Sequence, residues 1–137
     1  MTSEELIKIA FAARNYAYAP YSHFKVGAAL LTKSGRVYTG CNIENASFPA
    51  GVCAEKVAIS KAISEGDKEL LKIAIVGGNE NEEEPKDFCS PCGICRQTMA
   101  EFCDKDFEII LFDDGEPRIF SLDQMLPHSF TKNDLKK

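Results

Sequence analysis

The chain has 137 residues, 45% of them hydrophobic, which is enough for one packed core in a single domain spanning residues 1–137. Its formal net charge of -5 argues against a protein that holds a phosphate backbone, because that task needs a surface rich in lysine and arginine. No secretory signal is visible and no apolar run is long enough to span a bilayer, so we expect a cytoplasmic protein that binds neither nucleic acid nor membrane.

The first half of the chain predicts one helix, a pair of strands and an irregular segment. Thr2 and Glu5 have the spacing of a capping box, and apolar residues then recur at helical intervals until about Tyr16. Residues 24–32 are rich in β-branched and apolar side chains, which favours a strand. The other elements of this half are a turn at 33–35, a partner strand at 36–40 and an irregular segment at 42–52.

The second half alternates helices with strands. A helix is predicted over about 53–65, because alanines recur along one stripe and Gly66 stands where a helix usually ends. A second helix is predicted over about 92–103, with Met99 and Phe102 facing inward. The other elements are strands at 71–76, 107–112 and 118–120, and a short last helix capped at 121 and ending near 127.

The order of these elements, α-β-β-α-β-α-β-β, predicts the fold class. It indicates an α/β protein with three layers, α/β/α, in which helices cover the faces of a mixed five-stranded sheet. The acidic segment 79–87 has little apolar content, so we expect it to be a solvated loop between the third strand and the helix that follows.

Three of the six cysteines, together with one glutamate, give the strongest chemical signal. Cys92 and Cys95 form a Cys-x-x-Cys pair, which alone fits a redox pair, half of a structural zinc site or chance. With Cys53 added, three thiolates supply three corners of the tetrahedron that zinc prefers. A structural site would need a fourth protein ligand, whereas a catalytic site leaves that position to water. The candidate fourth ligands are Cys89, His23 and His128.

The neighbours of these cysteines favour the catalytic alternative. Glu55 lies two residues after Cys53, where it could act as a base beside the water without binding the metal. Predicted helix starts at Cys53 and Cys92 would stabilise thiolates. Lys56 and Arg96 follow the two motifs directly and could offset the excess negative charge of three thiolates. A Cys-x-Glu followed by Pro-Cys-x-x-Cys is the signature of zinc-dependent nucleobase deaminases.

At these residues the sequence resembles the small, homotetrameric cytidine deaminases, and the resemblance covers nearly the whole chain. Residues 18–31 look like the first strand of that family and its lead-in, and residues 40–46 look like its ribose-binding segment. Residues 90–97 resemble its second zinc segment, and Leu126-Pro127 with Phe130 resembles its C-terminal closure.

The resemblance implies an enzyme that hydrolyses free cytidine and 2′-deoxycytidine in pyrimidine salvage, with one zinc ion per subunit. It implies zinc ligation by Cys53, Cys92 and Cys95, and a proton shuttle at Glu55. It also implies a homotetramer with shared active sites, since some substrate contacts would reach a neighbouring subunit's site. The implied substrate-contacting residues are Phe24 against the pyrimidine, Asn42 and Glu44 at the ribose 3′-hydroxyl, Ala54, and the intersubunit residues Ala46, Phe48 and Phe130.

The sequence departs from the family at two places. The family usually has arginine where this chain has Lys56, and the acidic stretch around 82–87 looks longer than in close relatives. Three alternatives also remain: a deaminase of blasticidin S, a polynucleotide-editing deaminase, and a non-enzymatic zinc module with Cys89 as its fourth ligand. The run 42–45, Asn-Ile-Glu-Asn, favours a ribose-containing substrate over the first of these, because buried hydroxyl groups need placed polar partners.

Overall fold

The computed structural model describes residues 1–136, and its elements follow the predicted order. The helices are α1 (Ser3–Arg14), α2 (Ala54–Ser64), α3 (Gly93–Phe102), α4 (Leu122–Met125) and α5 (Lys132–Leu135), with a short 3-10 helix at Phe48–Ala50. The strands are β1 (Phe24–Thr32), β2 (Val37–Cys41), β3 (Leu70–Asn79), β4 (Glu108–Asp113) and β5 (Glu116–Ser121).

The five strands form one mixed sheet in the order β2-β1-β3-β4-β5. Only β3 and β4 pair in parallel, and the other three pairs are antiparallel. Because parallel neighbours need a crossover connection, the chain between β3 and β4 carries α3 across one face of the sheet. The predicted mixed five-stranded sheet is therefore confirmed.

Alternate residues of β1 explain why the sheet is covered on both faces. Ala28 and Leu30 belong to one buried cluster, whereas Ala29 and Leu31 belong to a second. Successive strand side chains point to opposite faces, so each cluster occupies one side of the sheet. Residues of α2 and α3 complete the first cluster and residues of α1 complete the second, which confirms the three-layer arrangement.

Local signals for two helix ends are also confirmed. The side chain of Thr2 accepts a hydrogen bond from the Glu5 backbone amide, and the Glu5 side chain accepts from the Thr2 backbone, which completes the capping box. After α2, Gly66 has a φ of +82°, a left-handed conformation that glycine adopts without steric cost. Among residues 1–136, no helix has the length and apolar character needed to cross a bilayer.

The sequence-based expectations fail at three positions. The prediction that Phe102 faces inward is wrong: it is the last residue of α3 and 38% exposed, whereas Met99 is fully buried. The third strand runs on to Asn79 because its end pairs with Phe24 at the start of β1. The helix α5 was missed because its four residues carry too short a pattern to signal a helix.

Candidate active site

The three cysteines singled out in the sequence lie together in the folded chain. The sulfur atoms of Cys53, Cys92 and Cys95 are all within 4.8 Å of one another, and those of Cys53 and Cys92 are 3.6 Å apart. Sulfur atoms around a tetrahedral zinc ion with bonds of about 2.3 Å are separated by about 3.8 Å. The number, type and spacing of these donors therefore fit zinc.

Two helix starts bring the sulfur atoms together. Cys53 is the N-cap of α2 and Cys92 is the N-cap of α3, so each lies at the positive end of a helix dipole. Neither side chain caps its helix by a hydrogen bond, which leaves both sulfur atoms available as ligands. Cys95 follows in the first turn of α3 and is buried.

The three thiols also change one another's acidity. Hydrogen bonds from Cys95 and Cys92, with the nearby Lys56 cation, lower the pKa of Cys53 to about 6. The same hydrogen bond raises the pKa of Cys95, which keeps its proton while it donates to Cys53. Zinc binds thiolates and not thiols, so the lowered pKa of Cys53 favours the form of this sulfur that binds the ion.

The three candidates for a fourth protein ligand lie outside this group. Cys89 packs against Gly77, where an added methyl carbon would lie 2.5 Å from its sulfur, and burial raises the pKa of its thiol to about 12. His23 is turned toward Glu80, with its Nδ1 3.0 Å from a carboxylate oxygen. His128 lines a separate cleft. Among the described residues, the group thus has three protein donors and leaves one corner open to water or substrate.

Glu55 is a buried carboxyl group beside the sulfur atoms. It follows the N-cap Cys53, is only 4% exposed, and lines the same pocket as Cys53 and Cys92. Burial raises the pKa of its carboxyl group to about 7, and the nearby Cys53 adds to that shift. A carboxyl group with a pKa near the working pH can both accept and release a proton, as a general acid-base catalyst must.

The two basic residues that follow the motifs lie in different surroundings. Lys56 is exposed and its charge contributes to the lowered pKa of Cys53, and its charge-tuning role stays a prediction. The guanidinium group of Arg96 instead donates to the carbonyl oxygens of Pro91 and Met125 and to the Ser90 hydroxyl. None of the hydrogen bonds found for Arg96 within residues 1–136 reaches a sulfur atom, so its observed contacts hold the backbone around the second cysteine segment.

An open pocket of about 590 Å³ leads to the sulfur group and Glu55. The charged side chains that line it are Glu44 and Glu55, and lysine, arginine and histidine are absent from the lining that the described residues provide. Of the predicted substrate-contacting residues, the lining includes Phe24, Asn42, Glu44, Phe48 and Ala54. A larger cleft of about 790 Å³ lies between the end of α3 and the C-terminal segment and includes none of the predicted catalytic, zinc-binding or substrate-contacting residues.

The predicted ribose ligands are held rigidly by backbone hydrogen bonds. Asn42 Oδ1 accepts from the Val26 amide at 2.8 Å, and Asn42 Nδ2 donates to the Phe24 carbonyl at 2.8 Å. Glu44 Oε1 accepts from two backbone amides at the turn before β1. These bonds fix both polar side chains along one wall of the pocket, and each amide or carboxylate group keeps further bonding capacity for a ligand.

The three predicted intersubunit residues are on the surface of this subunit. Phe48 is 75% exposed, with its ring 5.9 Å from that of Tyr21, and Phe130 is 61% exposed. Ala46 is exposed in the segment just before Phe48. Ala46 and Phe130 do not line the pocket within the single chain.

Sequence reasoning missed several residues that help to form the site. Tyr21 and Ser22 line the pocket, although the sequence singled them out only as part of a matching segment. Arg14 is 4% exposed and ties the start of the acidic loop to β1 and β3 through backbone carbonyl groups. One signal was available for Arg14: it follows Leu6 and Ala10 at intervals of four, on the buried stripe of α1.

Comparisons with known proteins agree with this geometry. Residues 1–111 match the family model described as the cytidine and deoxycytidylate deaminase zinc-binding region, which includes the three cysteines and Glu55. The matched region supplies a zinc-binding assignment for the three-sulfur group, so the predicted zinc cofactor is confirmed.

Individual relatives match over nearly the full chain. A cytidine deaminase from Halalkalibacterium halodurans is 44% identical over 136 residues, which is 98% of each chain, and one from Sporosarcina psychrophila is 41% identical over 98% of this chain and 96% of the relative. A solved cytidine deaminase from Burkholderia pseudomallei superposes with a TM-score of 0.85 at 44% identity, covering 95% of this chain and 100% of the other. A blasticidin-S deaminase from Bacillus cereus also matches, at 30% identity over 94% of this chain and 92% of the relative.

Proposed function

This chain belongs to the cytidine deaminase family of zinc-dependent hydrolytic deaminases, and from that membership we propose that it converts free cytidine and 2′-deoxycytidine, with water, to uridine and 2′-deoxyuridine plus ammonia. The observation that carries the proposal is the buried Glu55 carboxyl group beside three sulfur donors, at the end of a pocket that can admit a nucleoside. We assign this activity to pyrimidine salvage in the cytoplasm, where the six free cysteines would stay reduced.

The residues of this chain divide the chemical work among them. Cys53, Cys92 and Cys95 would hold the zinc ion, which when bound supplies a Lewis acid that lowers the pKa of water. Glu55 accepts a proton from the attacking water and passes it to N3 of the pyrimidine ring, then takes a second proton from the C4 hydroxyl group of the tetrahedral intermediate and gives it to the departing amine as the C4 carbonyl forms. Burial suits Glu55 to this task because the carboxyl group changes protonation state near neutral pH.

The other pocket residues bind and orient the nucleoside. Phe24 packs against the pyrimidine ring, Ala54 lines the pocket next to Glu55, and Asn42 and Glu44 bond the ribose 3′-hydroxyl. The two charged lining residues are both acidic, which suits a neutral nucleoside and opposes a phosphorylated or polynucleotide substrate. This charge pattern disfavours the polynucleotide-editing alternative.

We further propose that residues 1–137 act as one domain within a homotetramer that completes each active site. Exposed aromatic side chains support this proposal, because Tyr16, Phe48 and Phe130 are 83%, 75% and 61% exposed in the single chain. Ala46, Phe48 and Phe130 would then contact a neighbouring subunit's site. Sedimentation equilibrium tests the assembly: a mass of four chains is expected, and a fully active monomer would contradict it.

Glu55→Ala gives the decisive test of the chemistry. We expect the purified parent protein to release ammonia from cytidine. The variant should keep its zinc, but its kcat should fall by about 10²-fold to 10⁴-fold, because general acid-base catalysis contributes that much to the rate. Ammonia release and zinc content by atomic absorption measure the two properties separately, with chelator-treated parent as the control. Near-parental turnover by Glu55→Ala would refute the assignment.

Blasticidin S is a second candidate substrate, since a blasticidin-S deaminase is 30% identical to this chain. The higher identity to cytidine deaminases and the fixed polar wall formed by Asn42 and Glu44 favour a ribose. Parallel assays with cytidine and blasticidin S distinguish the two, and a higher kcat/KM for blasticidin S would reverse the preference.

A further inference from the structure

The hydroxyl group of Ser22 joins two residues that the proposed function assigns to substrate binding. Ser22 Oγ donates to Glu44 Oε2 and accepts from the Phe24 backbone amide at 3.0 Å. The Ser22 backbone amide also donates to Glu44 Oε1 at 3.1 Å, beside a bond from the Tyr21 amide at 2.9 Å. One short segment therefore determines where the Glu44 carboxylate lies and where β1 begins.

These hydrogen bonds leave one acceptor site of the Glu44 carboxylate unoccupied. A carboxylate has about four acceptor sites, two on each oxygen. The amides of Tyr21 and Ser22 occupy both sites of Oε1, and the Ser22 hydroxyl occupies one site of Oε2. The remaining site is on Oε2, and both Glu44 and Ser22 line the pocket. The bond from Ser22 also lowers the pKa of Glu44, which keeps the group ionised as an acceptor.

We propose that Ser22 is a positioning residue for the deaminase reaction, which orients Glu44 so that the open acceptor site of Oε2 receives the ribose 3′-hydroxyl. This inference rests on the proposed function. It assigns Ser22 to nucleoside binding and not to the chemical step, because Ser22 acts through Glu44 and not through Glu55. Losing the hydroxyl group therefore weakens binding of substrate and transition state alike, which raises KM and leaves kcat nearly unchanged.

The chain supplies a matched control for this hydroxyl group. Ser34 Oγ donates to the carboxylate of Asp67 at 2.8 Å, and both residues lie outside the pocket lining. Asp67 keeps hydrogen bonds from Thr32 and Tyr38 when that serine is replaced. Ser34→Ala thus removes the same chemical group from the same kind of pair without touching the site.

The experiment compares steady-state kinetics on cytidine and 3′-deoxycytidine. We expect Ser22→Ala to raise KM for cytidine by about fivefold to tenfold with kcat within about twofold, since a hydrogen bond that orients a charged acceptor is lost. With 3′-deoxycytidine, Ser22→Ala and the parent should have KM values within about twofold of each other, because the group that Glu44 receives is absent. Ser22→Thr keeps the hydroxyl group and should restore the KM for cytidine, and Ser34→Ala should match the parent on both substrates.

Two outcomes would overturn the inference. An unchanged KM for cytidine in Ser22→Ala would mean that Glu44 needs no help from Ser22. An equal rise in KM for both nucleosides would mean that Ser22 acts through Phe24 or by direct contact, and not through the 3′-hydroxyl. Both outcomes can be measured only if the parent protein deaminates cytidine. A parent without that activity would refute the proposed function, and this result is known before the variant is assayed.

Discussion

The two segments that bring the cysteines together are held in place by different kinds of contact. The first, at the start of α2, is held by close packing against β2. A methyl carbon added at Gly40 would lie 2.2 Å from the Ala54 carbonyl oxygen and 2.7 Å from the Ala58 amide nitrogen. Because Gly40 has no side chain, the backbone of α2 lies directly on the strand, and Ala54 and Ala58 are fully buried there.

The second segment is held by arginine side chains that bind backbone carbonyl groups. Arg96 joins the chain before α3 to the end of α4, through the carbonyl oxygens of Pro91 and Met125. Arg14 acts further back, at the loop that leads into this segment. Its guanidinium group donates to the carbonyl oxygens of Lys25, Gly78, Asn79, Glu82 and Glu83.

This difference determines how each segment should respond to mutation. Packed backbone has no space to rearrange, so an added atom forces the helix away from the sheet. A carbonyl group that loses an arginine donor can bind water where water reaches it, so the loss is partly compensated. We therefore expect added volume in the first segment to cost more stability than the loss of an arginine donor in the second.

The largest effect is expected from comparing two single glycine-to-alanine variants, one in the strand that packs against the first segment and one in the second segment. Gly40→Ala should lower the free energy of unfolding by about 3 kcal/mol, because the two nearest atoms that the added carbon meets belong to the backbone. Gly93→Ala, at the start of α3, meets nothing within 4 Å and should change stability by no more than about 1 kcal/mol, toward higher stability. Urea unfolding of both variants measures the difference. Equal losses would remove the distinction between the segments.

The next largest effect is expected at Arg14, one of the arginine residues that hold the second segment. Arg14→Met should lower the free energy of unfolding by about 2 kcal/mol, because five backbone carbonyl groups lose a charged donor. Arg14→Lys keeps the charge but lacks the planar fork, so it should recover less than half of that loss. Faster proteolysis within the acidic loop should accompany both variants. A lysine variant as stable as the parent would show that charge alone is sufficient.

Arg96 tests whether this support extends to the metal group. Arg96→Met should cost about 1 to 2 kcal/mol, since two backbone carbonyl groups and the Ser90 hydroxyl lose their donor. Zinc loss to a chelator should become faster in this variant because the segment that carries Cys92 and Cys95 is loosened. Chelator-competition rates measure this effect. An unchanged rate would confine the role of Arg96 to general stability.

The smallest effect concerns Lys56, which directly follows Glu55 in the first segment. Its charge lowers the pKa of Cys53, so Lys56→Gln should raise that pKa and move zinc loss on acidification to a slightly higher pH. Lys56→Arg keeps the charge and should hold that midpoint, while its fork can donate to two sulfur atoms and so shift the pH-rate profile. Identical pH-rate profiles for the parent and Lys56→Arg would refute the idea that lysine restrains thiolate charge less than arginine does.

The sequence predicted the sheet and the metal group because both depend on local patterns. The apolar run of β1, the Cys-x-Glu at 53–55 and the Cys-x-x-Cys at 92–95 are each visible in short windows. The extension of β3 to Asn79 was not predictable, because it depends on pairing with Phe24 far away in sequence. The contacts of Arg14 were equally hidden, because its acceptors are backbone carbonyl groups that any residue could supply.

The positions of Cys53 and Cys92 have a consequence for the unfolded chain. They are 39 residues apart, and between them lie all of α2 and β3. An ion bound to both cysteines closes this long loop, as a disulfide bond would. The closed loop lowers the conformational entropy of the unfolded chain, which stabilises the folded state by about 4 kcal/mol on the chain-entropy estimate used for disulfides. An ion bound by these sulfur atoms would thus also cross-link the starts of α2 and α3 reversibly.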